Sequence, residues 1–378
     1  MKLLLICTSV EPGRDAVGDY TVAFSNALSK SGVMCNIVAV ADSYVVSSSE
    51  EVREGCRVLR LPKSSSWNER WEALSLYVKA VNPDWISLQW VAFGYHDKGL
   101  PLNLGRRLRE TIGELPVHVM CHEIWIKADG TGTLKERLYS RLQRAVHRRV
   151  FRDLRPSCVH THAEPYRKAL GSIDIKSNIL PLASNIHGHG NHAFKVIADE
   201  AIQASNNELR FIVFGNTPPE WNASEVIQIV GLACQRMNKK ARLWLLGKGG
   251  MDEQTLQSVV ESGNEVGVTV ESLGFLETDS ALSYMCQADV GLATVPFALW
   301  QKSSAVATMR SCGLPVVFSR FDGDWSDDCL PHWEDGFFRL EEDAIVEVAN
   351  RKKSDGVDMW QEAARRFLHT VDTPADTV

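Results

Sequence analysis

Short, wholly apolar runs, each followed by a loop and a helical segment, recur along this chain. That alternation limits its folds more than any other feature. "KLLLICTSV" at the N-terminus has the composition of a strand buried on both faces. "DYTVAFSNALSKSG" follows, with Val22, Phe24, Ala27 and Leu28 as a rough helical stripe and Gly32 as its stop. "CNIVAVA", "DWISLQW", "PVHVMCHE" and "SCVHTHA" are further strands separated by helices. A second series begins with "RFIVFGN" and runs through "ARLWLLG", "VTVESLG", "DVGLATV" and "LPVVFSR". Its helices are "SEVIQIVGLACQRMN", "MDEQTLQSVVESG", "DSALSYMCQ" and "SAVATMRSC". Repeated β-α-β units with right-handed crossovers give a doubly wound parallel sheet, here twice. The reading is therefore α/β, with two Rossmann-like domains, 1–190 and 205–356, facing a cleft. The polar, glycine-containing stretch from Asn185 to Asn207 is the boundary, and a C-terminal helix within 357–378 is placed back on the first domain.

A length of 378 residues suits two domains. A hydrophobic content of 44% with 23% charged residues fits a soluble globular protein, and no apolar run is long enough to span a bilayer. A net charge of −6 gives no global case for nucleic-acid binding. None of the nine cysteines forms a C-x-x-C, and an odd, scattered set argues for reduced thiols and a cytoplasmic location. No dinucleotide fingerprint follows any strand, which speaks against hydride transfer.

Ligands of such sheets bind at the carboxyl ends of strands, so the loops there carry the chemistry. "EPGRDAVGDYT" places Gly13 and Gly18 between the first strand and its helix, where amides can approach an anion; the plain alternative is a turn with Asp19 as N-cap. "LLGKGGMDE" repeats the arrangement with Gly247 and Lys248. "CHEIW" ends a strand with His122 and Glu123, which can bond a substrate or move a proton, or simply satisfy the sheet edge. His160 and His162 share a strand face, and His187, His189 and His192 cluster in the boundary segment. Neither group has cysteine ligands at metal spacing, so no metal is expected. In "ALWQKSSAVATMRSCGLPVV", Lys302, Ser303 and Ser304 open a short helix. Its capped N-terminus can hold phosphate through free amides, with Lys302 adding charge; a capped core helix that binds nothing is the alternative.

These residues resemble a GT-B glycosyltransferase of the large retaining family 4, the glycosyl transferases group 1 type. "GDYTVAFSNALSKSG", "VHVMCHEIW", "SCVHTHAEPYRKAL" and "ILPLASNI" resemble successive first-domain elements of that family. "LGFLETDSALSYMCQADVGLATVPFALWQKSSAVATMRSCGLPVV" is similar to its donor-nucleotide region. The resemblance implies a second domain that binds a nucleotide-sugar and a first that binds a saccharide or lipid-linked acceptor. It implies metal-independent transfer with retention and no further cofactor. His122 and Glu123 would be the catalytic pair. Gly18, Asp19, Gly247, Lys248, Lys302, Ser303, Ser304 and Thr308 would hold the donor. The chain departs from the family at two points: Trp300 and Thr308 stand where two glutamates are usual, and Asn216 follows a strand that usually leads to an arginine and a lysine. Lys302 is the candidate substitute. A catalytically degenerate GT-B protein acting as a partner subunit is the alternative, and an epimerase or phosphorylase of the same architecture is a third.

"KERLYSRLQRAVHRRVFRDLR", residues 135–155, carries eight basic residues against Glu136 and Asp153. Leu138, Leu142, Ala145 and Val146 can line one face. Such a helix can rest on anionic lipid at the inner face of the membrane, or pack on the sheet with its charges solvated.

Overall fold

A computed structural model describes residues 1–184, 207–247, 251–322 and 334–373. Most of the boundary segment, with His187, His189 and His192, and also Lys248, lie outside the described residues. The chain divides into two compact units. One is Met1–Pro181 together with the chain from Trp360; the other lies between Leu182 and Met359.

The first unit contains β1 (Lys2–Cys7), α1 (Ala16–Lys30), β2 (Met34–Asp42), β3 (Ser49–Arg53), β4 (Cys56–Pro62), α2 (Trp67–Val81) and β5 (Trp85–Trp90). After these come α3 (Ala92–Tyr95), α4 (Leu104–Ile112), β6 (Val117–Cys121), α5 (Leu134–Leu154), β7 (Cys158–Thr161), α6 (Glu164–Gly171) and β8 (Asn178–Ile179). Its sheet runs β3-β4-β2-β1-β5-β6-β7-β8. Every pairing is parallel except β3 with β4, an edge hairpin closed by Glu54 and Gly55, both at positive φ. That hairpin is absent from the sequence reading because "SEEVR" is polar on both faces. The chain steps outward on one side of β1 and then resumes on the other with β5, so the order reverses at β1/β5. One sheet face packs the main core, from Ile86, Leu88 and Trp90 to Val119, Val150 and Leu154. The opposite face of β5–β7 is polar, and it meets Phe367 of the C-terminal helix, with Tyr20 of α1 edge-on to His122 and Phe24 packed against Phe367.

The second unit contains β9 (Glu208–Phe214), α7 (Ala223–Arg236), β10 (Lys240–Leu246), α8 (Glu253–Val266), β11 (Val268–Gly274), α9 (Thr278–Gln287) and β12 (Val290–Ala293). A 3-10 turn (Phe297–Lys302), α10 (Ser304–Ser311), β13 (Val316–Phe318), β14 (Phe337–Arg339) and α11 (Glu342–Ala349) complete it, and α12 (Met359–Asp372) carries the chain into the first unit. The sheet order is β11-β10-β9-β12-β13-β14, parallel throughout. Its reversal lies at β9/β12. A core fills each face, one around Phe211, Ile227 and Leu243, the other around Ile212, Phe297 and Phe318. Burial of this kind contributes roughly 25 cal/mol per Å² of apolar area, the dominant favourable term.

Candidate functional site

The reversal at β9/β12 brings three elements of the second unit together. Gly215 follows β9, at φ 98°, and a Cβ there would sit 3.6 Å from the Ala305 methyl in the first turn of α10. Thr294, just past β12, donates its hydroxyl to the Asn216 carbonyl at 2.8 Å. Ser303 is the N-cap of α10: its Oγ accepts from the Val306 amide at 3.2 Å, and its own amide bonds Trp300. The amides of Ser304 and Ala305 have no acceptor among the described residues, and both residues are partly exposed. This is the helix end that the sequence singles out, with two amides left over rather than several.

Next to it, Gly215, Gly247 and Gly274 close three adjoining strands at the same edge. Gly215 donates to the Leu246 carbonyl at 2.8 Å and Gly247 to the Gly274 carbonyl at 2.9 Å. A Cβ on Gly247 would lie 2.2 Å from the Gly215 oxygen, so no other residue fits there without backbone movement. Together with Thr217, Met251 and Phe275 these glycines line a cavity of about 280 Å³, more apolar than polar. Arg320, which the sequence reading passed over, sits at the same edge; it donates to the Thr294 carbonyl at 3.2 Å and pairs with Asp322. A lone arginine after a strand carries no pattern that would have flagged it.

Two predicted positions look inward. Thr308 is 1% exposed, and its hydroxyl bonds Ser184 at 2.7 Å and donates to the Ser304 carbonyl at 2.8 Å. Trp300 is buried against Phe337 and under the Arg310 guanidinium. Lys302 closes the 3-10 turn and is partly exposed.

In the first unit α1 begins at Ala16, not at Asp19. Asp15 is its N-cap and accepts from the amides of Val17 and Gly18, at 3.0 and 2.8 Å. Asp19 instead accepts from the Gly13 amide at 3.1 Å and so ties the loop to the helix. Gly18 is a packing glycine: a Cβ would lie 2.4 Å from the Ser9 carbonyl. The Gly18 amide is thus already held by a carboxylate. Behind the loop, burial opposes ionisation of Asp42, but the Arg60 guanidinium at 2.8 Å and two backbone amides outweigh it and keep the carboxyl below its usual range.

His122 directly follows β6 at 6% exposure, while Glu123 beside it is exposed. Both His122 nitrogens are engaged, Nε2 with Gln89 Oε1 at 2.9 Å and Nδ1 with His162 Nε2 at 3.1 Å. His160, on the same strand face as His162, bonds His118 at 3.1 Å. Among the described residues no group of three or more His, Cys, Asp or Glu is placed to hold a metal. The partners Ser87, Gln89 and His118 escaped the sequence reading. The signal was there: polar residues at every second position of strands otherwise wholly apolar.

The α5 face is also redrawn. Val146 is buried, but Leu138 and Leu142 are exposed together with Leu134, because Gln143, His147 and Val150 turn the helix the other way.

No protein-family model matches the chain, and no curated protein matches its sequence. Solved structures do. Sucrose-phosphate synthase from Thermosynechococcus elongatus is similar at TM-score 0.55 and 14% identity, covering 98% of this chain and 94% of that one. The Anabaena protein Alr3699/HepE in complex with UDP is similar at TM-score 0.56 and 15% identity, covering 98% and 100%. UDP-GlcNAc 2-epimerase from Methanocaldococcus jannaschii is similar at TM-score 0.50 and 10% identity, covering 98% and 99%. At these identities the likeness is one of fold, and the fold is GT-B, with two Rossmann-like parallel-sheet units.

Proposed function

We propose that the chain is a retaining, metal-independent glycosyltransferase whose second unit binds a nucleotide-sugar. The observation that carries this reading is the pair of unclaimed amides, Ser304 and Ala305, beside Gly215 at the strand-order reversal. An uncompensated buried anion costs several kcal/mol, and a helix N-terminus with two free donors offsets part of that. Lys302 supplies the charge that Asn216 does not. The cavity lined by Gly215, Gly247 and Gly274 takes the nucleobase and ribose. Ser303 acts by capping, and Thr308 by holding α10 to Ser184. Gly18 and Asp19 shape the β1–α1 loop. The first unit offers Glu123 and His122 toward a saccharide or lipid-linked acceptor. His122 reaches a sugar hydroxyl only by releasing Gln89 or His162. UDP in the Anabaena structure supports a nucleotide as the ligand class.

The test is a thermal-shift screen against UDP-, GDP- and ADP-glucose. A ligand that binds only the folded state stabilises it by about 2.7 kcal/mol at a hundredfold excess over Kd. A rise in Tm with one nucleotide, weakened at least tenfold by Lys302→Ala, is expected. No shift with any of the three would remove the reading. Unchanged affinity in the Lys302 variant would remove that residue from the site. The second reading, a degenerate partner subunit, is favoured by the burial of Trp300 and Thr308 where relatives of the resembled family carry glutamates. Binding without donor hydrolysis or transfer would select it.

We also propose that α5 meets an anionic membrane surface. Leu134, Leu138 and Leu142 are 76%, 55% and 48% exposed, one helical turn apart, among the basic residues of 135–155. No described helix is long and apolar enough to cross a membrane.

A further inference from the structure

The polar face of β5–β7 forms one continuous hydrogen-bonded chain. Starting from the Leu180 carbonyl, it runs through His162 (3.0 Å), His122 (3.1 Å), Gln89 (2.9 Å), Ser87 (2.9 Å), His118 (2.8 Å), His160 (3.1 Å) and Thr370 of α12 (3.3 Å). The five internal members from His122 to His160, and His162 itself, are all buried. Thr370 has one further acceptor in reach, the Arg366 carbonyl at 3.0 Å.

A carbonyl only accepts, so His162 must donate to Leu180 from Nδ1. The consequence passes along the chain link by link. With every imidazole neutral, His122 donates from Nδ1 to His162. Its bare Nε2 then needs a donor, and Gln89 must present its amide NH₂ there and its oxygen to Ser87. Ser87 gives its proton to Gln89 and accepts from His118 Nδ1. His160 donates from Nδ1 to His118, and Thr370 donates to His160. All seven links are filled by seven protons. If Gln89 instead turns its oxygen to His122, that ring must donate from Nε2. The His122–His162 pair then carries one added proton. Beyond Gln89 the buried Ser87 hydroxyl finds an acceptor only if every proton reverses: Ser87 donates to His118, His118 and His160 donate from Nε2, and Thr370 gives its proton to the Arg366 carbonyl. Rotating the amide by 180° together with uptake of one proton from solvent by the His122–His162 pair exchanges the two patterns, with every other heavy atom in place.

We infer that Gln89 and Thr370 are positioning residues that couple the charge on the His122–His162 pair to the tautomers of His118 and His160. The chain is bistable, and toward Gln89 His122 accepts at Nε2 in one state and donates from Nε2–H in the other. Other titratable groups near it are Tyr20 of α1, whose ring lies edge-on to both members of the pair, and Glu164 of α6, already paired with Arg167. Glu123 is exposed, and Arg366 of α12 is paired with Glu362. Burial depresses His118 and His160, which keeps both neutral while they change tautomer. The inference stands on the first unit alone and does not depend on the proposed transfer activity.

The experiment is ¹⁵N NMR of histidine side chains in the full chain from pH 5 to 9. Two patterns leave no buried donor or acceptor of the chain without a partner: His118 and His160 both Nδ1–H with a neutral pair, or both Nε2–H with a charged pair. Conversion between them in step with the pair is the expected result. A mixed pattern, or fixed tautomers while the pair changes charge, would overturn the inference. Gln89→Leu should uncouple the two halves. Should that variant fail to fold, Thr370→Val holds His118 and His160 as Nδ1–H throughout, and Thr370→Ser restores the conversion. Conversion that persists unchanged in Thr370→Val counts against the relay.

Discussion

At Gly18 the backbone of α1 passes so close to the end of β1 that a methyl group would lie 2.4 Å from the Ser9 oxygen and 2.9 Å from Val10 Cα. Both contacts are backbone, so neither can swing aside. Gly18→Ala must push α1 off the sheet, an overpacking that costs about 1–3 kcal/mol. Urea unfolding should register that loss, whereas nucleotide affinity should stay within twofold, because the Gly18 amide is already held by Asp15. A large loss of affinity with unchanged stability would return Gly18 to the ligand. The residue was legible as special from its place after a strand, but not its role. A glycine that lets a ligand approach and one that lets a helix approach leave the same letter in the sequence. His122 shows the same limit. Its position at a strand end could be read, but its partners come from β5 and β7, and only the register of those strands, Ser87 opposite His118 for example, brings them together.

At the scale of elements, hydrophobic period was a good guide wherever both faces are buried and a poor one wherever one face is charged. The central strands stand out as apolar runs; β3 does not, because its burial comes only from one edge pairing. α5 shows why an apolar stripe can be read onto the wrong face. It has two, and the buried one is led by Gln143, His147 and Val150, the first two polar, with Gln143 accepting from the Ile126 amide at 3.0 Å and His147 Nδ1 bonding the Gln143 carbonyl at 2.9 Å. The other, Leu134, Leu138 and Leu142, is left facing outward. Replacing all three with serine should leave Tm within about 5 °C, since surface changes usually stay within about 0.5 kcal/mol each. The same change should abolish sedimentation with vesicles containing acidic lipid, while vesicles of neutral lipid alone should bind neither protein. Equal binding of variant and parent would show that charge alone, or another surface, makes the contact.

Over the whole molecule, buried histidines make stability depend on pH. Burial pushes His160 and His147 down to about 4 and His118 well below its ordinary value. In the unfolded chain these groups take up protons near pH 6.5, whereas in the folded chain His147 and His160 resist until about pH 4. The unfolded state therefore binds more protons across that window, and stability falls as pH falls. Above about pH 6.5 the contribution is complete; at pH 5 His147 and His160 have each withdrawn about 2 kcal/mol. His147 isolates the effect. It sits among Trp90, Trp125 and Phe151, its Nδ1 bonds the Gln143 carbonyl at 2.9 Å, and burial outweighs that bond and the nearby Glu123 backbone. His147→Phe keeps the ring and removes the proton site. The drop in unfolding free energy between pH 7.5 and 5 should shrink by about 2 kcal/mol in that variant, one proton's share of the slope. An unchanged drop would mean that His147 titrates freely in the folded chain, and that the acid sensitivity belongs to the relay or to the carboxylates instead.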